Sequence, residues 1–136
     1  MIICTIAIFV GCTNKYQSNN GISINSIHTS IGGIEEGTND IENQAFKYKV
    51  QLNNNEDDDL KIISIEPILT EKFEKLVLSK DLIKNINEII SKNDYLEISG
   101  EIIFNTKDMS KEEIESMQPF IKEIKITEER KIKKSF

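Results

Sequence analysis

Phe46, Tyr48, Val50 and Leu52 alternate with Lys47, Lys49 and Gln51, and an apolar–polar period of two leaves this segment few ways to fold. Successive side chains of a β-strand point to opposite faces, so the run is a strand with one dry face and one wet face. A second run repeats the pattern with Leu96, Ile98, Gly100, Ile102 and Phe104. Gly100 offers no side chain to pack, which marks a bulge or the close approach of another backbone. Each run presents a single apolar face. Phe46, Tyr48, Val50, Leu52, Ile98, Ile102 and Phe104 are therefore expected to share one core.

The remaining segments read mostly as strands. In GISINSIHTSI the positions of Ile22, Ile24, Ile27 and Ile31 form a broken alternation that suits a first strand at a sheet edge. Gly32, Gly33, Gly37, Asn39 and Asp40 follow as a turn-rich connection. The run NNNEDDD over 53–59 is expected to be a solvent-exposed turn joining the strand at 46–52 to a β-branched strand at 60–69 as a hairpin. Within 60–69, Leu60 and Ile62 share one parity and Ile63 and Ile65 the other, so a bulge shifts the register or both faces are buried. Pro67 cannot donate to a ladder and points to an edge or a strand end.

Leu82, Ile83, Ile86, Ile89 and Ile90 recur at helical spacing, which predicts a short amphipathic helix capped by Ser79 or Asp81. Its apolar stripe suits core packing better than a partner surface. Ser110 with Glu113 three residues later fits a capping box for a helix over 111–117, stopped by Pro119. A strand over 120–126 has Ile124 and Ile126 on one face, and the tail EERKIKKSF is expected to fray, with Ile132 able to extend the sheet. Short strands with one or two short helices in the connections predict a mainly β fold. The first choice is an immunoglobulin-like β-sandwich over 21–136, and the alternative is an α+β domain with a single sheet.

At the amino end, the apolar run Ile2 to Val10 is closed by Gly11 and Cys12, and polar Thr13, Asn14 and Lys15 follow at once. The segment FVGC resembles the lipobox of bacterial lipoproteins. That resemblance implies a signal peptide over 1–11 and Cys12 as the thiol that takes a diacylglyceryl group. It also implies a polar tether, TNKYQSNN, over 13–20, and a location on the extracytoplasmic face of the cell membrane. The run is well short of the ~20 apolar residues of a membrane-spanning helix. Farther along, GEIIFNT followed by MSKEEIESM and another strand is similar to small Ig-like lipoproteins of low-GC Gram-positive bacteria, an implication of fold and location that carries no catalytic residues.

Composition narrows the function classes. About 125 residues beyond the leader make one domain able to fill a core without metals or disulfides. Cys4 lies in the leader and Cys12 is expected to be lipidated, so neither thiol is left for a disulfide. A formal net charge of −6 argues against nucleic acid as a partner.

The residues that carry chemistry are few. His28 is the one histidine, and beside Thr29 and Ser30 it invites a general-base reading, yet no nucleophile elbow accompanies it. A zinc site has too few ligands. The acids Glu56 to Asp59 could offer oxygens to Ca²⁺ but lack the spacing and central glycine of an EF-hand. A carboxylate pair for hydrolysis could be drawn from Glu35, Glu36, Asp40, Glu66 or Glu101, as in any acidic chain of this length. Lys47 and Lys49 could face an anionic partner, although lysines on an exposed strand face also block aggregation. Gly32 and Gly33 lack the lysine and spacing of a phosphate loop. The expectation is a membrane-anchored, non-enzymatic binding module for an envelope protein or peptide, with no catalytic residue, cofactor or metal. A small extracytoplasmic hydrolase using a carboxylate pair is the alternative.

Overall fold

The computed structural model describes residues 2–9, 21–34 and 42–130, with the backbone path alone at 2–9 and 130. Among the described residues, seven strands and two short helices follow in the order β1 (Ile2–Phe9), β2 (Ile22–Gly32), β3 (Asn43–Asn54), β4 (Leu60–Leu69), α1 (Glu71–Glu74), β5 (Lys84–Ile90), β6 (Tyr95–Asn105), α2 (Lys111–Glu115) and β7 (Ile121–Arg130). Every strand pairing is antiparallel. One sheet has the order β1-β7-β4-β5 and the other the order β2-β3-β6. The fold is thus mainly β in two sheets, and the single-sheet alternative does not describe it. Cys12, the tether, the turn residues Gly37, Asn39 and Asp40, and the tail from 131 on, with Ile132, lie outside the described residues.

The two sheets share one core because each strand turns its apolar parity inward. Phe46, Tyr48, Val50 and Leu52 of β3 and Ile98, Ile102 and Phe104 of β6 are all buried, as the alternation predicts. They meet Leu60, Ile62 and Ile65 of β4 and Ile124 and Ile126 of β7. Four phenylalanines close one end of this core, with Phe73 against Phe46, Phe104 and Phe120 at ring-centroid distances of 5.3, 5.1 and 5.0 Å. Phe73 arrives on α1, a single turn whose other residues are exposed. Edge-to-face contacts of this kind add to the area that each ring buries.

The two parities of β4 are reconciled by a bulge between Ile62 and Ser64, which lets Leu60 and Ile62 and then Ile65 and Leu69 all face inward. Pro67 pairs with Ile124 of β7, beyond Ile65, where the pairing with β5 stops. Its missing N–H therefore falls where β4 has become an edge. In β2 the broken alternation is likewise a register shift, between Ile24 and Ser26. Ser110 caps α2 as expected, its Oγ accepting from the Glu113 N–H at 3.1 Å, and Pro119 follows in a cis peptide.

Three expectations need correction. The segment 82–90 is not helical: Lys84–Ile90 is the edge strand β5, with Ile89 63 % exposed and Ile90 buried. Its helical spacing comes from an extra residue at Ile86 and Asn87, opposite Ile63, where Asn87 takes a φ of 52°. A period-two strand with one inserted residue mimics a period near four over so short a stretch. The turn at 55–59 does not close a hairpin either, because β3 already has β2 and β6 on its two sides and β4 sits in the other sheet. The connection crosses the roughly 10 Å between facing sheets. Finally, Glu128 and Glu129 belong to β7 rather than to a fraying tail, and Glu128 is fully buried on the parity of Ile124 and Ile126.

The exposed turn also hides a buried residue. Asn54 ends β3 on the inward parity and has no solvent exposure. Its Nδ2 donates to the carbonyl oxygens of Asp58 at 2.9 Å and Ile90 at 2.8 Å, and its Oδ1 accepts from the Glu56 N–H at 2.9 Å. Its backbone exchanges two further bonds with the 91–94 turn, from Asn54 N to Asp94 O and from Asn93 N to Asn54 O, both 3.0 Å. One amide thus holds together the end of β3, the crossing loop and the turn between β5 and β6.

Candidate functional site

Strand register sets the surface of the three-stranded sheet. His28, Lys49 and Ser99 form one cross-strand row, and Ser30, Lys47 and Glu101 form the next, all exposed on the outer face. Between these rows, Thr29, Tyr48 and Gly100 form an inward row. A Cβ at Gly100 would overlap the Tyr48 ring, so the glycine makes way for a side chain rather than for another backbone. Tyr48 is buried, and desolvation raises its phenol above the ordinary tyrosine range. It stays a neutral hydroxyl at any physiological pH.

A cavity of about 630 Å³ lies over this region, lined by His28, Ser30, Lys47, Lys49, Lys84 and Glu101 among others. Lys84 reaches it from β5, its Nζ donating to the Ser99 carbonyl oxygen across the gap between the two sheets. Three lysines face a single carboxylate here, in a chain whose formal net charge is −6. A second cavity, of about 510 Å³, opens beneath β2 with Ile31, Phe46, Met109, Ile114 and Phe120 on one part of its wall and Gln44, Lys111, Glu115 and Gln118 on the rest. Thr29 and Ser30 line both.

The remaining sequence candidates fall apart in space. His28 and Ser30 share a face, but residues two apart on a strand are separated by roughly 6.5–7 Å, beyond hydrogen-bond reach, and Thr29 points to the opposite face. Glu66 stands opposite Lys125 in one sheet and Glu101 opposite Lys47 in the other, so these two carboxylates do not form a pair. Glu35, Glu36 and Asp40 lie outside the described residues.

The acidic turn binds the neighbouring 91–94 turn. Asp57 faces Lys92 Nζ at 3.5 Å, and Asp59 Oδ1 accepts from the Lys92 N–H at 3.3 Å. Glu56 lies over Gly21, whose φ of 81° suits glycine. Among the described residues, no three His, Cys, Asp or Glu side chains gather where a metal ion could be held, and no helix is long and apolar enough to cross a membrane.

Sequence reasoning singled out Lys47 and Lys49 but not Lys84, because the helix expected over 82–90 would have placed it elsewhere. The second cavity was also out of reach, since Met109 and Ile114 come to β2 only through the α2 packing. Comparison of the chain with protein-family models, with curated proteins and with solved structures finds no match, so its surface and sequence alone bear on its function.

Proposed function

We propose that this chain is a lipid-anchored extracytoplasmic protein whose two-sheet domain, of immunoglobulin-like type, is a non-enzymatic binding module. Cys12 supplies the anchor as the acylated residue of FVGC, with 13–20 as the leash between membrane and domain. The fold assignment draws on the way the chain alternates between sheets, from β3 to β4 and from β5 to β6. The observation that carries the binding reading is the cavity beside β2, where Lys47, Lys49 and Lys84 gather against one acid. No reacting pair of groups accompanies them among the described residues, which favours capture of a ligand over its conversion. An envelope protein or peptide is the partner class that suits an exposed strand surface.

Metabolic labelling with a fatty-acid analogue tests the anchor. The wild-type chain should take the label and fractionate with membranes, and Cys12→Ser should remove both. A wild-type chain that takes no label and stays soluble overturns the anchor. Stable attachment needs more than one acyl chain, since a single chain binds only marginally.

A further inference from the structure

We infer that the outer edge of β2 over residues 27–32 is a docking site for an extended peptide strand that alternates apolar and acidic side chains. The inference deepens the binding-module reading and rests on it, but it does not depend on the lipid anchor.

Sheet edges expose unpaired N–H and C=O groups and are usually guarded. The edge strands are β1 and β5 of one sheet and β2 and β6 of the other, and β5 and β6 carry a guard. β1 itself, paired with β7 from Phe9 to Ile2, falls in the segment 1–11 that lipidation at Cys12 would remove. β5 has its bulge at Asn87, and its Lys84 points toward the other sheet. The outer edge of β6 is occupied at its far end by the segment after α1, through Leu78 N to Ile103 O and Asn105 N to Leu76 O, both 2.8 Å. β2 pairs with β3 alone, and its bulge lies at Ile24–Ser26, away from the stretch IHTSIG. That stretch has no Lys, Pro or acidic residue, and among the described residues nothing pairs along its outer side.

What flanks the edge specifies the occupant. A strand laid beside β2 would alternate its side chains between the two faces of the sheet. Residues beside Ile31 and Thr29 would turn toward the inner side, where the cavity of about 510 Å³ offers Ile31, Met109, Ile114 and Phe120 to an apolar side chain. Residues beside His28 and Ser30 would turn toward the outer face, where Lys47 and Lys49 stand one strand away. Strands are about 4.8 Å apart, so β3 lies about 9.6 Å from such a strand across β2, a distance that a lysine and a glutamate side chain bridge together, and an acid at those positions meets positive charge. The two cavities meet at Thr29 and Ser30, which places both requirements within one short segment. Backbone pairing would supply the common affinity, and the alternation would supply the choice of partner.

The test uses the full chain carrying Cys12→Ser, which keeps it off membranes whether or not the anchor is right. A fluorescein-labelled six-residue peptide alternating Val and Glu is titrated by anisotropy, alongside a Val/Lys peptide and a Val/Glu peptide N-methylated at every second amide in either register. The Val/Glu peptide should bind, and the Val/Lys peptide should not. At least one N-methylated form should lose binding, because its amides can no longer pair. Reversal of both exposed lysines, Lys47→Glu with Lys49→Glu, should weaken binding about tenfold while leaving the thermal melt in place. Amide protection on binding should fall within residues 27–32. Absence of binding at millimolar peptide, equal binding of the Val/Lys peptide, indifference to both N-methylated registers, protection elsewhere, or self-association through β2 in place of peptide binding would each overturn the inference.

Discussion

Replacing Asn54 by Ala should be among the most damaging single changes outside the apolar core, although a polar residue in an NNNEDDD turn looks expendable. The substitution removes three side-chain hydrogen bonds, to Asp58 O, Ile90 O and Glu56 N. A typical buried bond contributes about 0.5–1.5 kcal/mol net, and a buried group left without a partner costs about 1–3 kcal/mol. The Asp58 and Glu56 bonds are only part-buried and can be replaced in part by water, whereas the Ile90 carbonyl is buried. The loss should therefore be about 2–4 kcal/mol, a large share of the ~5–15 kcal/mol that holds a typical domain. Urea denaturation should show it as a lower midpoint at unchanged slope. Asn55→Ala is the control, since the exposed Asn55 side chain bonds only to Ser23 Oγ among the contacts of this turn, and it should cost under ~1 kcal/mol. Asn54→Asp should be at least as harmful as Asn54→Ala above the carboxylate pKa, because it turns an acceptor toward two carbonyl oxygens. A loss below about 1 kcal/mol for Asn54→Ala would refute the claim that this amide holds the crossing loop to the β5–β6 turn.

Gly100→Ala should destabilise by about 1–3 kcal/mol through overlap with the Tyr48 ring, and adding Tyr48→Leu should recover part of the loss; equal losses in the single and double variants would show that Tyr48 is not the obstacle. Phe104→Ala, removing a fully buried ring packed on Phe73, should cost about 3–5 kcal/mol in the same denaturation assay, and a loss under ~1 kcal/mol would mean that the ring is not in the core. Because burial raises the folded-state pKa of Tyr48 above its unfolded value near 10, the neutral phenol favours the folded protein, and that contribution is full below pH 10 and lost as pH climbs toward the folded pKa. Stability followed across pH 8–12 should fall more steeply above pH ~10 in the wild type than in Tyr48→Phe, and parallel curves would contradict the burial effect.

Much of the local structure was legible along the chain. The alternation of β3 and β6 is set by the geometry of an extended backbone, which needs no knowledge of neighbours to sort side chains onto two faces. The Ser110 and Glu113 cap spans three residues and closes within one turn, so its residues suffice to find it. The bulge in β4 was visible as a change of parity, and the lysines of the outer face as the polar half of the β3 pattern. Even Asn54 and Glu128 lay on parities that point inward, after Leu52 and after Ile126; their polarity hid them, because a polar residue is buried only where partners await it.

What needed the tertiary structure was every choice among distant partners. β3 and β4 are neighbours in sequence and both half-apolar, yet the seats beside β3 go to β2 and β6, and nothing local distinguishes a hairpin from a crossing between sheets. The stripe at 82–90 satisfies a helix on its own terms, and only pairing with β4 and the bulge at Asn87 make it an edge strand. Phe73 enters on one helical turn too short to announce itself, and its place among Phe46, Phe104 and Phe120 exists only once both sheets close. The candidate site follows the same division: Lys47 and Lys49 came from a local pattern, while Lys84, the second cavity and the open edge of β2 came from how the strands are ordered and how α2 packs on them. Side-chain parity is a property of a few bonded residues; strand order depends on which burial of the whole apolar surface is lowest in free energy, and that sum is taken over the folded chain.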